Sequence, residues 1–165
     1  MTKKLDQERW LRFVNFFPYK SPRPKLKKGI VLVGIGSNVG NSERVFKKAF
    51  RYFQKHSKTK VISTSPLYKN PPFGYLEQNN FLNALMLLKT SMNAVEFMRF
   101  LLHTEKVFGR KRTIKNGPRT LDLDIIFFEK LFVYNRSIVI PHPKWQERDS
   151  VIVPMMFINS RFTTI

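Results

Sequence analysis

These 165 residues predict an α/β chain with a β-α-β-β-α-β order. That is the split-βαβ, ferredoxin-like arrangement: a mainly antiparallel sheet with helices packed on it and extra C-terminal strands. Three observations carry the expectation. Apolar runs of strand length alternate with two stretches of helical period. Gly, Pro and Asn clusters punctuate the boundaries. Late in the chain, a strand-like run holds two aspartates spaced to share one face.

Residues 1–28 read as a basic extension, with nine Lys/Arg and two acids, a net of +7 within the chain's +19. Trp10, Phe13, Val14 and Phe17 recur at i, i+3, i+4, i+7, which predicts an amphipathic helix ending at Pro18. Ser21-Pro22-Arg23-Pro24 then reads as a stiff linker. Such a helix packs on its own domain or on a second copy, or serves as an arm for a membrane surface or nucleic acid.

Residues 29–165 form the domain proper. Ile30-Val31-Leu32-Val33 predicts a buried strand, ended by a tight turn over Gly34-Ile35-Gly36-Ser37-Asn38-Val39-Gly40. Reading from Gly34, Val39 stands where a dinucleotide-binding fingerprint needs its third glycine, so the segment is read as structural. Helical period follows over 42–56, with Phe46, Ala49, Phe50 and Phe53 on one stripe. Strands are expected over 59–69 and 80–89, separated by Asn70-Pro71-Pro72-Phe73-Gly74. A second helix over 93–108 buries Phe97, Leu101 and Phe108, and a basic loop leads to a strand over 121–129. Val133, Ile138 and Ile140 predict short strands beyond it.

Composition narrows the chemistry. Hydrophobic residues make up 42% and Phe alone contributes 16, enough for one sizeable core. Cysteine is absent, which excludes disulfides, Cys zinc sites and thiol catalysis. No apolar stretch approaches the roughly 18 residues of a membrane helix, and no secretory signal opens the chain. A cytoplasmic protein is expected. The charge of +19 calls for a polyanion, whether nucleic acid, anionic membrane or nucleoside polyphosphate.

Against that basic background, Asp122 and Asp124 stand out. Strand alternation puts both on one face, with Leu121, Leu123 and Ile125 on the other. At roughly 6–7 Å of strand rise their charges repel by about 2–3 kcal/mol at an effective dielectric of about 20. A divalent cation carrying substrate phosphates would occupy the space between them; neighbouring Arg and Lys could also neutralise the pair. The preceding loop holds Arg110, Lys111, Arg112, Lys115 and Arg119 without an acid, a composition suited to folding over a polyphosphate. Pro141-His142-Pro143 with Arg148 forms a further cluster. His56 and His103 fall in helical segments and read as structural.

With these residues in view, Ile30 to Phe157 resembles the 6-hydroxymethyl-7,8-dihydropterin pyrophosphokinases of folate biosynthesis. Four blocks agree in order: Gly34–Asn38, Tyr68–Gly74, Gly109–Asp124, and Pro141-His142-Pro143 with Arg148. The resemblance implies a ferredoxin-like fold and transfer of the β,γ-diphosphate of ATP to the pterin hydroxymethyl group, releasing AMP. It implies two Mg²⁺ held by Asp122 and Asp124, with Arg110 and Arg119 gripping the phosphates as catalytic residues. Glu105, Arg112, Lys115, Ile125, His142 and Arg148 would complete the ATP site. Asn70, Pro71, Pro72, Phe73, Phe81, Asn83 and Asp122 would form the pterin site, and the loop over 109–120 would close over ATP. Many relatives carry an aromatic where this chain has Ser150, leaving Trp145 or Phe73 to substitute. A basic ferredoxin-like RNA-binding module is the alternative, though no RNP-like run of aromatics is present. A monomer, or a weak homodimer through the extension, is expected, with no nucleic acid or membrane as partner.

Overall fold

The computed structural model describes residues 1–22, 29–111 and 116–158. In chain order the strands and helices are β1 (Thr2–Lys4), β2 (Trp10–Arg12), β3 (Tyr19–Lys20), β4 (Ile30–Ser37), α1 (Ser42–Lys55), β5 (Thr59–Thr64), β6 (Leu67–Asn70), β7 (Phe81–Thr90), α2 (Ala94–Val107), β8 (Asp122–Phe128), β9 (Val133–Tyr134), β10 (Val139–Ile140) and α3 (Asp149–Met155).

The expected β-α-β-β-α-β core is present as β4-α1-β5-β7-α2-β8. Its strands lie side by side as β5-β7-β4-β8, every neighbouring pair antiparallel. Both helices start where the sequence supplies caps. Asn41 accepts from the Arg44 amide, and Asn93 with Glu96 forms a reciprocal capping box. Their apolar stripes cover one sheet face: Phe46, Phe50, Phe53, Phe97 and Leu101 meet Val31, Val33, Leu123 and Ile125. The opposite face has a smaller core, where α3 sets Val151 against Leu32, Leu85, Leu87, Ile126 and Phe127. A register shift opposite Leu32/Val33 lets Ile126 and Phe127 both join this second face. The rest of that face is left open for the site.

Two expectations are corrected. β4 continues through Ser37, so Gly34 and Gly36 lie inside a strand and the turn begins only at Asn38. The extension does not form the expected helix. β2 pairs with β6, aligning Trp10 with Lys69, while β1 pairs with β2 and β3 with β5. The apolar spacing that mimicked a helix instead serves a turn, in which Val14 and Phe17 exchange backbone hydrogen bonds around Phe16 at φ 72°. This drops Phe17 into the main core, fully buried against Phe46 and Phe50. Arg23 and Pro24 of the expected linker lie outside the described residues.

Phe17→Ala should therefore cost about 3–5 kcal/mol, as for a buried core aromatic. The urea midpoint should fall with little change in slope; an unmoved midpoint would mean that the extension contributes nothing to the core. The expected C-terminal strands are present as the β9–β10 hairpin. Helix α3 was not anticipated.

Candidate active site

The site is built from the open sheet face outward. Gly36 on β4 is aligned with Asn83 on β7 and with Asp122 on β8, so the three form a row across the sheet. Gly34 is likewise flanked by Leu85 and Asp124. A Cβ on Gly36 would stand 3.0 Å from Asn83 Oδ1 and 3.7 Å from the Asp122 Cβ, so the strand is bare where its neighbours carry polar groups. Asp122 and Asp124 share this face while Leu121, Leu123 and Ile125 are buried behind them, as alternation required.

Guanidinium groups converge on the carboxylates. Arg110 Nη1 lies 2.6 Å from Asp122 and 2.5 Å from the buried Glu105, and Arg119 Nη1 lies 2.8 Å from the other Asp122 oxygen. Arg148 Nη1 is 3.4 Å from Asp124. Glu105, on α2, also accepts the Leu123 amide at 2.9 Å, satisfying a donor of edge strand β8. The Arg119 guanidinium sits 5.3 Å above the centre of the Phe81 ring, so one side chain touches both an acid and an aromatic.

Asn38, which the sequence reading left in a structural turn, holds this arrangement. Its side chain accepts the Arg119 amide at 2.9 Å and donates to Gln78 Oε1 and the Asn79 carbonyl, while its own amide donates to the Arg119 carbonyl. A buried amide that pins three chain segments explains why Asn follows the glycine strand. Only its position beside the Gly-x-Gly pattern hinted at this in the sequence.

A cleft of about 580 Å³ runs along this face. It contains Asp122, Asp124, Glu105, Arg110, Arg119, His142 and Arg148, and at its other side Asn70, Pro71, Pro72, Phe73, Phe81 and Asn83. Asn83 donates to Asn70 Oδ1 at 2.6 Å, and Asn70 donates to the Pro71 carbonyl at 2.9 Å. Of the expected site residues, Arg112 and Lys115 lie outside the described residues, and Ile125 is 3% exposed within the main core, leaving only its main chain for any ligand. Of the two aromatics proposed to offset Ser150, Phe73 is in the cleft but Trp145 packs edge-on against Phe127 at 5.0 Å.

The cleft walls set the electrostatics. Burial, and then the charge of Asp122, push the Asp124 carboxyl above its ordinary value, against the pull of His142, Arg148 and Arg110. His142 is held below its ordinary value, first by burial and then by Arg148. A raised carboxyl pKa favours the folded state most below the unfolded value, and that contribution is lost as pH rises. Asp124→Asn should therefore raise the melting temperature at pH 7, modestly because 39% of the side chain stays exposed to screening solvent, and the gain should fade as pH drops through the ordinary carboxylate range. An equal gain above and below that range would contradict the assignment. Among the described residues no three His, Cys, Asp or Glu side chains converge on a metal position. Two hard carboxylate donors without a full cage fit Mg²⁺, which keeps waters and takes its other oxygens from phosphates.

Paired carboxylates among arginines, opposite an aromatic and an amide in one cleft of about 580 Å³, make a site of the enzyme kind, with converging charged groups at one side and a ring at the other. The comparisons agree. The profile of the 7,8-dihydro-6-hydroxymethylpterin-pyrophosphokinase (HPPK) family matches residues 32–160, and the chain belongs to that family. It is 48% identical over 127 residues to the 2-amino-4-hydroxy-6-hydroxymethyldihydropteridine pyrophosphokinase of Helicobacter pylori, covering 76% of this chain and 78% of that one. The Campylobacter jejuni protein of the same name is 40% identical over 143 residues, 87% of this chain and 91% of its own. The Bacillus subtilis protein is 34% identical over 126 residues, 76% and 75% respectively.

Proposed function

We propose that this chain transfers the β,γ-diphosphate of ATP to the hydroxymethyl group of 6-hydroxymethyl-7,8-dihydropterin, releasing AMP, in folate biosynthesis. The observation that carries the reading is the row Asn83–Gly36–Asp122, which sets a hydrogen-bonding amide and a carboxylate on the two strands that flank β4 on one open face. Asp122 and Asp124 would hold the two Mg²⁺ that accompany ATP, and magnesium there would supply neutralisation of the polyphosphate charge.

The chain's own groups do the rest. Arg110 and Arg119, already oriented by Asp122, turn their forks to phosphate oxygens and steady the charge that moves onto the leaving AMP. Arg112, Lys115, His142, Arg148 and the Ile125 main chain hold the nucleotide, with Glu105 toward the nucleoside. Asn70, Pro71, Pro72, Phe73, Phe81, Asn83 and Asp122 orient the pterin so that its hydroxyl faces the β-phosphorus, and positioning supplies much of the rate. The loop over 109–120 closes over ATP. Residues 1–28 act as an extension of the catalytic domain over 29–165, and the enzyme works in the cytoplasm as a monomer or a weak homodimer through that extension.

No helix among the described residues is long and apolar enough to cross a membrane. The RNA-binding alternative finds no support, and two carboxylates on the open face would repel a nucleic-acid backbone. The deciding assay combines the chain with ATP, Mg²⁺ and the pterin and follows the nucleotide product. AMP formed only when the pterin is present supports the reading; ADP, or nucleotide turnover without pterin, rejects it. Chelating the metal should stop the reaction.

A further inference from the structure

Arg9 lies in the extension, outside every motif that carries the resemblance, and yet it lines the substrate cleft. Its placement follows from strand pairing. β2 aligns Trp10 with Lys69, so the next step along this antiparallel ladder sets Arg9 opposite Asn70, at the ring-binding side of the cleft.

We propose that Arg9 is a specificity-determining contact for the pterin, laying its planar guanidinium against the ring at the wall where the small Ser150 offers no aromatic. This rests on the function proposed above. Two carboxylates prepare Arg9 for that role. Asp6 pairs with its Nη1 at 2.8 Å and accepts its own amide at 2.8 Å, and Asp149, next to Ser150, lies 3.8 Å from its Nε. The Nη1 bond to Asp6 is made in the guanidinium plane, leaving the faces to stack on a ring, and Asp149 adds charge attraction beside it. The Nε is buried without a hydrogen-bond partner, while 41% of the side chain is exposed, so part of the group remains open to a ligand.

The same two acids argue against a phosphate ligand at Arg9. They offset its charge and would repel a polyphosphate, whereas Arg110, Arg119 and Arg148 cluster around Asp122 and Asp124. An uncharged flat ring has no such conflict. Trp145 is committed to Phe127, and Phe73 is 72% exposed, whereas the Arg9 side chain, 41% exposed, is tied to Asp6 and to Asp149 next to Ser150 in the same cleft.

The test is steady-state kinetics on the full chain with each substrate varied in turn, for wild type, Arg9→Ala, Arg9→Lys and Phe73→Ala. Pterin binding is read in parallel by its fluorescence. Arg9→Ala should raise the pterin KM and Kd roughly five- to thirtyfold, while the ATP KM stays within about twofold. Arg9→Lys keeps the stem and charge but lacks the plane, so it should show a similar loss and serves if the alanine variant folds poorly. The proposal is overturned if the lysine variant binds pterin like wild type, if both KM values rise together, or if only Phe73→Ala weakens pterin binding. A wild-type chain that makes no pterin-dependent AMP would instead remove the function on which the proposal rests.

Discussion

Asp124→Ala should lower turnover at least roughly a thousandfold, about 4 kcal/mol of transition-state stabilisation, while the circular dichroism spectrum remains native. The structure separates the two effects. Asp124 sits at the open end of the Leu85–Gly34–Asp124 row, with 39% of its side chain exposed and a 3.4 Å pairing to Arg148. Truncation removes no core contact and relieves its repulsion with Asp122. If the carboxylate helps hold the metal–nucleotide, its loss cannot be made good by the surrounding arginines, which carry the wrong sign. ATP affinity should become less sensitive to Mg²⁺ in the variant. Turnover within tenfold of wild type would remove Asp124 from the catalytic machinery.

Arg119→Ala should lower kcat by roughly 10²–10³-fold and change the ATP KM by less than about threefold. The backbone of residue 119 is clamped in both directions by Asn38, so the substitution removes a guanidinium without releasing the chain around it. Asp122 keeps its bond to Arg110. Besides the Nε bond to the Gly117 carbonyl, the change is the loss of a cation close to the Phe81 ring and to the carboxylate, where charge would shift in the proposed transfer. Arg119→Lys should recover only part of the rate, because an ammonium cannot present two parallel donors. Parallel losses in kcat and ATP affinity would make Arg119 a ground-state binding residue.

Much of this was legible in the sequence because it depends on short-range periods. The 3.6-residue stripe of Phe46, Phe50 and Phe53 and the two-residue alternation around Asp122 and Asp124 each name the face that a side chain takes. What was hidden depends on distant pairing. Trp10, Phe13, Val14 and Phe17 fit a helix by spacing, yet β6 offered an unpaired edge, and backbone pairing there outweighed the local pattern. Gly36 fits a turn by its local pattern, yet β7 and β8 flank it in the sheet. Asn38 reaches residues 40 and more positions away, which no local window reveals. Helix α3 is only 7 residues long and contains Pro154, too brief to establish a period.

The bare central strand has one more result. Asn83 and Asp122 each stand one interstrand step from Gly36, so their main chains are separated by about twice 4.8 Å, a distance fixed by backbone pairing. If Asn83 orients the acceptor and Asp122 the donor, as proposed, the gap between them is ruled by the sheet itself. A methyl group at position 36 would meet the Asn83 amide oxygen at 3.0 Å and crowd that side first. The rim is made by loops, but this gauge is cast in β-sheet.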